Sequence, residues 1–159
     1  MQLMRVSLLT LALMLPGAAV YADDARHDDV EVKLEQSKVT QLDGKVSLVA
    51  VDKIAPGDLI QYVATYRNTT QRAVHGLNAA LPIPLNTQYV TGSAQPAKVL
   101  VSTDGVNFAQ PPLKRKIRNP SGVEEEREVP LAEYRYLRWE LGELAGGKKV
   151  AVSARVRVD

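Results

Sequence analysis

The sequence has no cysteine. That excludes disulfides, a thiol nucleophile and a lipid-modified cysteine behind a leader. Histidine is nearly absent too, with His27 and His75 the only two in 159 residues. No Gly-x-Ser-x-Gly, His-Glu-x-x-His or phosphate-cradling glycine loop occurs, so nothing builds a catalytic constellation around either. A dominant charge is also missing. Twenty Lys and Arg face 18 Asp and Glu, a net charge of +2, which gives no reason to expect nucleic acid or an anionic membrane as partner. Finally, there is no long hydrophobic run. Val6 to Leu15 is the apolar core of the N-terminus, far short of the about 20 residues a spanning helix needs.

That short run has another use. Met1 to Arg5 is a brief basic start, Pro16-Gly17 breaks the apolar core, and Val20-Tyr21-Ala22 puts small residues before Asp23. The pattern is that of a secretory signal peptide over residues 1–22. The expected product is a periplasmic or extracellular domain with no membrane span. A polar leader follows over 23–29, in which His27 stands among four aspartates. Such a cluster offers metal-ligand types without fixed geometry, and a solvated tail is the expected reading. No metal and no cofactor is therefore assigned.

Residues 30–159 form one domain by size. The stretch Ala55-Pro56-Gly57-Asp58-Leu59-Ile60-Gln61-Tyr62-Val63-Ala64-Thr65-Tyr66-Arg67-Asn68 organises it. Pro56 and Gly57 suit the two corners of a turn. Ile60, Tyr62, Ala64 and Tyr66 then alternate with Leu59, Gln61, Val63, Thr65 and Arg67, which predicts a strand. Apolar groups on both faces place it in the middle of a sheet. Asn68-Thr69-Thr70 breaks the pattern and is expected to be a loop, although it also fits the N-glycosylation triplet.

Other segments alternate in the same way. Val30, Val32 and Leu34 predict a half-buried strand. Asp43-Gly44 and Asp104-Gly105 are hairpin signals. Pro82 and Pro84 bar the end of the strand starting at Val74 from a sheet interior. Leu137, Trp139 and Leu141 are expected to point inward, with Trp139 a core anchor rather than a ligand platform. Val150, Val152, Ala154, Val156 and Val158 line one face of a long final strand. With no convincing helix after the leader, the pattern predicts an antiparallel sandwich of seven to nine strands.

One segment, about 113–129, is unlike the rest. A basic run, Lys114-Arg115-Lys116-Ile117-Arg118, leads through Asn119-Pro120-Ser121-Gly122 into an acidic run, Glu124-Glu125-Glu126-Arg127-Glu128. With the turn centred between Pro120 and Ser121, Lys116 faces Glu125 and Arg115 faces Glu126. A self-neutralising hairpin explains the pattern. As a protruding arm, its residues Lys114, Arg115, Lys116, Arg118, Glu124, Glu125 and Glu126 are also the candidate partner-binding set.

Two blocks, finally, carry a resemblance. Ala55-Pro56-Gly57-Asp58 with Tyr62, Tyr66, Asn68, Leu81-Pro82, Tyr89-Val90 and Gly92-Ser93 form the first. Trp139, Leu141-Gly142, Leu144, Gly146-Gly147 and the closing valine strand form the second. Together, over about residues 45–158, they resemble the conserved-repeat domain of bacterial surface and envelope proteins, domain of unknown function eleven. The resemblance implies an immunoglobulin-like β-sandwich and an exported, non-catalytic module. Here it occurs as a single copy, with the charged hairpin as an insertion. The expected function is a structural or protein-interaction role with another envelope protein as partner. Periplasmic binding of a metal or small ligand is the alternative.

Overall fold

A computed structural model describes residues 29–42 and 44–159. Residues 1–22, expected to be a signal peptide, most of the leader with His27, and Asp43 of the first Asp-Gly turn lie outside the described residues. Ten strands follow in order: β1 (Val30–Leu42), β2 (Lys45–Val49), β3 (Leu59–Asn68), β4 (Val74–Pro82), β5 (Thr87–Tyr89), β6 (Leu100–Ser102), β7 (Lys114–Arg118), β8 (Glu124–Glu128), β9 (Tyr136–Leu144) and β10 (Lys149–Val158). A single 3-10 turn, Leu131–Glu133, precedes β9. All pairings are antiparallel. One sheet has the order β2-β1-β3-β10-β5, a second β4-β9-β6, and β7-β8 stand apart as a ribbon. The two larger sheets pack as an immunoglobulin-like sandwich of eight strands, within the expected seven to nine, and the ribbon adds two more.

The turn before β3 forms as its residues require. The Asp58 N–H donates to the Ala55 carbonyl at 3.1 Å, and Gly57 takes φ +88°, the left-handed value that the second corner demands. Asp58 then ties the turn to β1 through Lys38 at 2.7 Å. β3 occupies the centre of the five-stranded sheet, pairing with β1 on one side and β10 on the other. Its Ile60, Ala64 and Tyr66 are buried with Val152, Ala154 and Val156 of β10. Facing them are Ala79 and Leu81 of β4 and Leu137 and Trp139 of β9. Trp139 is 1% exposed and donates its Nε1–H to the Pro96 carbonyl at 2.8 Å. It is the core anchor its size suggested.

Alternation fails at one place in this core. Leu141 packs against the core only partly buried, and Leu144, three residues on, is buried at the end of β9. The pairing of β4 with β9 shifts register between Val74, Leu77 and Asn78, opposite Gly142 and Leu144. An extra residue in a ladder turns the following side chain to the other face.

Two polar side chains of β3 cross the sandwich. The Tyr66 hydroxyl accepts from the Ala80 N–H at 3.0 Å and donates to the Ala80 carbonyl at 3.1 Å. Asn68, 0% exposed, donates from Nδ2 to the Arg72 and Leu144 carbonyls at 2.7 and 2.9 Å. Its Oδ1 accepts from the N–H and hydroxyl of Thr70. The triplet read as a loop therefore begins with the last residue of β3, a buried strut. Both hydrogens of its amide are engaged, so Nδ2 is closed to modification in the folded protein.

The second sheet is narrower than the first, and β4 is its edge over β3. β1 and β2 therefore overhang. Val32 and Leu34 lie opposite Tyr66 and Ala64, on the face that is core further along the sheet, yet both are 54% exposed. The half-buried face expected for β1 is thus only partly covered.

Asn68→Ala takes the Nδ2 donor from the Leu144 carbonyl, leaves the Arg72 carbonyl to the Thr70 hydroxyl, and should lower unfolding stability by on the order of 3 kcal/mol. Thr70→Val, which spares the cross-sheet bond, should cost about 1 kcal/mol. Urea unfolding of the two variants distinguishes the strut from its neighbour. A pH effect comes from Asp58. The Lys38 ammonium, then the Ala55 N–H, hold its carboxyl below the usual carboxylate range. A depressed folded value means the contribution is present above about pH 4 and is lost as pH falls through the lowered value. Asp58→Asn should therefore lose less stability than the native chain on acidification from about pH 7 to about pH 3, measured by urea midpoints.

Candidate interaction surface

β7 and β8 pair along their whole length, but not in the register expected. Lys116 lies opposite Glu126, Ile117 opposite Glu125, and Arg115 opposite Arg127. The turn is centred on Ser121 rather than between Pro120 and Ser121. Asn119 sets this: its Oδ1 accepts from the N–H groups of Ser121 and Val123, and its carbonyl accepts from Gly122. Gly122 at φ +82° closes a three-residue loop of the kind that places one left-handed residue before the return strand. The predicted Lys116–Glu125 and Arg115–Glu126 pairs consequently do not form.

The shift sorts the charges onto two faces. Lys114, Lys116 and Arg118 share one face with Glu124, Glu126 and Glu128. Here the contacts are loose, with Lys114–Glu126 at 3.8 Å and Arg118–Glu124 at 3.7 Å. Among the described residues, neither Lys116 nor Glu128 has an ion-pair partner within 4.0 Å. The other face holds Arg115, Ile117, Glu125 and Arg127. Facing Arg115 and Arg127 would repel each other, but each is diverted. Arg127 turns to Glu125 at 2.6 Å. Arg115 makes a two-pronged bond to Glu133 of the 3-10 turn, at 2.6 and 2.9 Å. Of the expected partner-binding set, Arg115 bonds Glu133 of the 3-10 turn and Glu125 bonds Arg127 of its own strand. Glu128 and Glu133, which lay outside that set, join it by position: register puts Glu128 opposite Lys114, and Glu133 lies in a segment beyond the charge run.

The foot of the ribbon is fixed to the body. The Val129 N–H donates to the Leu113 carbonyl at 2.8 Å, and the Leu113 N–H donates to the hydroxyl of buried Tyr134 at 2.8 Å. Beside this foot lies an open cleft of about 560 Å³, bounded by Lys114, Arg115, Glu133, Phe108 and Arg138. The Arg138 guanidinium stacks 4.1 Å from the Phe108 ring centre, and its Nε is buried with no hydrogen-bond partner. The rim is shaped by Asp104. The Asn107 side chain, then the N–H groups of Asn107 and Val106, hold its carboxyl well below the usual carboxylate range. The Asp104-Gly105 turn is thus as predicted, although its return strand shrinks to one bridge between Val101 and Ala109.

His75 lies on β4 with Nδ1 3.3 Å from Glu143, both side chains more than half exposed. Among the described residues, no group of three or more His, Asp or Glu side chains is placed to hold a metal. No helix there is long and apolar enough to cross a membrane. The chain matches no family model, no curated protein and no solved structure.

The Arg115–Glu133 pair is half exposed, so Arg115→Ala should lower global stability by no more than about 1 kcal/mol. Hydrogen exchange should nevertheless speed up selectively over 114–128, since the tether rather than the core is lost. Uniform acceleration across β3 and β10 would mean that the pair is part of the core framework.

Proposed function

We propose that this chain is an exported, non-catalytic interaction module of the bacterial envelope that docks another envelope protein through the outward face of its charged ribbon. This extends the resemblance to the conserved-repeat domain, with the ribbon as the feature special to this chain. The supporting observation is the contrast between the two faces. Arg115 anchors one to the body at 2.6 Å, while the other carries Lys114, Lys116 and Arg118 beside Glu124, Glu126 and Glu128 in loose or absent pairs. Exposed ion pairs contribute only about 0.2–1 kcal/mol. Exchanging them for a partner's charges therefore costs the fold little. An anchored base limits the ordering cost of binding. A fixed pattern of both signs gives orientation and partner choice more than raw affinity. Export through residues 1–22 to the periplasm or the medium belongs to the same proposal.

A second reading, a small-ligand binding protein, is favoured by the cleft at the ribbon's foot. There Lys114, Arg115 and Arg138 outnumber Glu133, and Phe108 supplies an aromatic wall. The ligand would be a small anion. The metal version of this reading would rest on the leader.

Crosslinked pull-down from the native envelope separates these readings. The full protein should retain a discrete partner, and deletion of 114–128 should abolish it. Lys116→Glu should weaken capture most at low ionic strength, where exposed charges are least screened. A partner retained unchanged after the deletion would refute docking through the ribbon.

A further inference from the structure

Every sheet edge exposes unpaired backbone groups, and a folded protein defends its edges or uses them. The edges here are defended by different devices. On β4, the Tyr66 hydroxyl occupies both backbone groups of Ala80, Pro82 has no N–H to offer, and a bulge interrupts the strand near Leu77. On β6, Val101 exchanges two backbone bonds with Ala109 at 2.8 and 3.1 Å. β5 is only three residues long, and Gln95 takes over beside β10 through a bridge to Ser153. In the ribbon, every strand position except Ile117 is charged.

β2 has none of these. It contains no proline and no bulge, its one charge is Lys45 at the end, and among the described residues nothing pairs with its outer edge. Each face carries an exposed apolar side chain, and one face carries nothing else. Val46 and Leu48, with Val39 of β1 opposite Leu48, share one face, and Val49 lies on the other. Val46 is 60% and Leu48 49% exposed. Among the described residues, six of the eleven exposed large apolar side chains run from Val32 to Ile54. The overhang beyond the narrower sheet thus ends in an undefended strand.

We infer that β2 docks a second copy of this chain, the two strands pairing antiparallel about Ser47 and joining two five-stranded sheets into one. The occupant should be a strand of little charge that sets apolar side chains opposite Val46 and Leu48, and the chain's own β2, with Lys45 its one charge, supplies both. A dyad through Ser47 keeps each face on its own side. It sets Val46 opposite the partner's Leu48 and Lys45 opposite the partner's Val49, so no like charges meet. This surface is separate from the ribbon and does not depend on its role.

The absence of cysteine makes a clean test. Under the proposed register the two Ser47 residues face each other at about 4.5–5.5 Å between Cα atoms, within the about 4.4–6.8 Å that a disulfide accepts. Ser47→Cys should therefore oxidise readily to a covalent dimer, and Ser121→Cys at the exposed ribbon tip should not. Sedimentation velocity of the protein purified as its cell exports it should show the native chain moving from monomer to dimer with concentration. Leu48→Lys should hold it at monomer, and Leu34→Lys, on the neighbouring uncovered face, should behave as native. Any of three results overturns the inference: a native chain monomeric at every concentration, equal crosslinking at Ser47→Cys and Ser121→Cys, or a dimer that survives Leu48→Lys.

Discussion

A sandwich of two open sheets cannot avoid edges, and the need to satisfy or defend their backbone groups governs this molecule. The tightest solution is on β4. A sheet edge that would otherwise face solvent is sealed from within by the Tyr66 hydroxyl, which reaches across from the facing sheet to serve both backbone groups of Ala80. One residue pair along, Asn68 closes the same end of the sandwich by holding the Leu144 carbonyl. Both side chains come from β3. The strand at the centre of one sheet thus also sets where the other sheet stops, and so leaves β1 and β2 uncovered.

Much of this was legible in the sequence where only local period mattered. The alternation of Ile60, Tyr62, Ala64 and Tyr66, and of Val152, Ala154 and Val156, placed those residues on the core face. Pro56-Gly57 and Asp104-Gly105 marked turns that form. What was not legible depends on distant partners. Asn68 looked like a strand breaker because its reason for burial, the Leu144 carbonyl, is 76 residues away. Val32 and Leu34 carried the pattern of a covered face, but coverage depends on the width of the opposing sheet. A one-residue bulge near Gly142 brings Leu144 into the core beyond the partly buried Leu141, and period counting cannot see it.

The ribbon shows the same limit at the proposed site. Its charge segregation was plain from the sequence, but a single left-handed residue, Gly122, moved the register by one and re-sorted every pair. That shift gives Arg115 to Glu133 and leaves Lys116 and Glu128 facing outward. The ribbon and β2 are complementary opposites: one an edge saturated with charge, the other an edge with almost none. The first suits an unlike partner with matching charges, and the second suits a copy of itself.

The Tyr66 hydroxyl seals β4 from within, and the proposed contacts fall to the ribbon and to β2. Residue-resolved hydrogen exchange tests the seal most directly. If the account is right, the Ala80 amide exchanges as slowly as the core amides of β10 although it lies on an edge strand, while amides of 114–128 exchange far faster. An Ala80 amide that exchanges as freely as the ribbon's would mean that the Tyr66 hydroxyl does not close that edge, and that β4 is as open to pairing as β2.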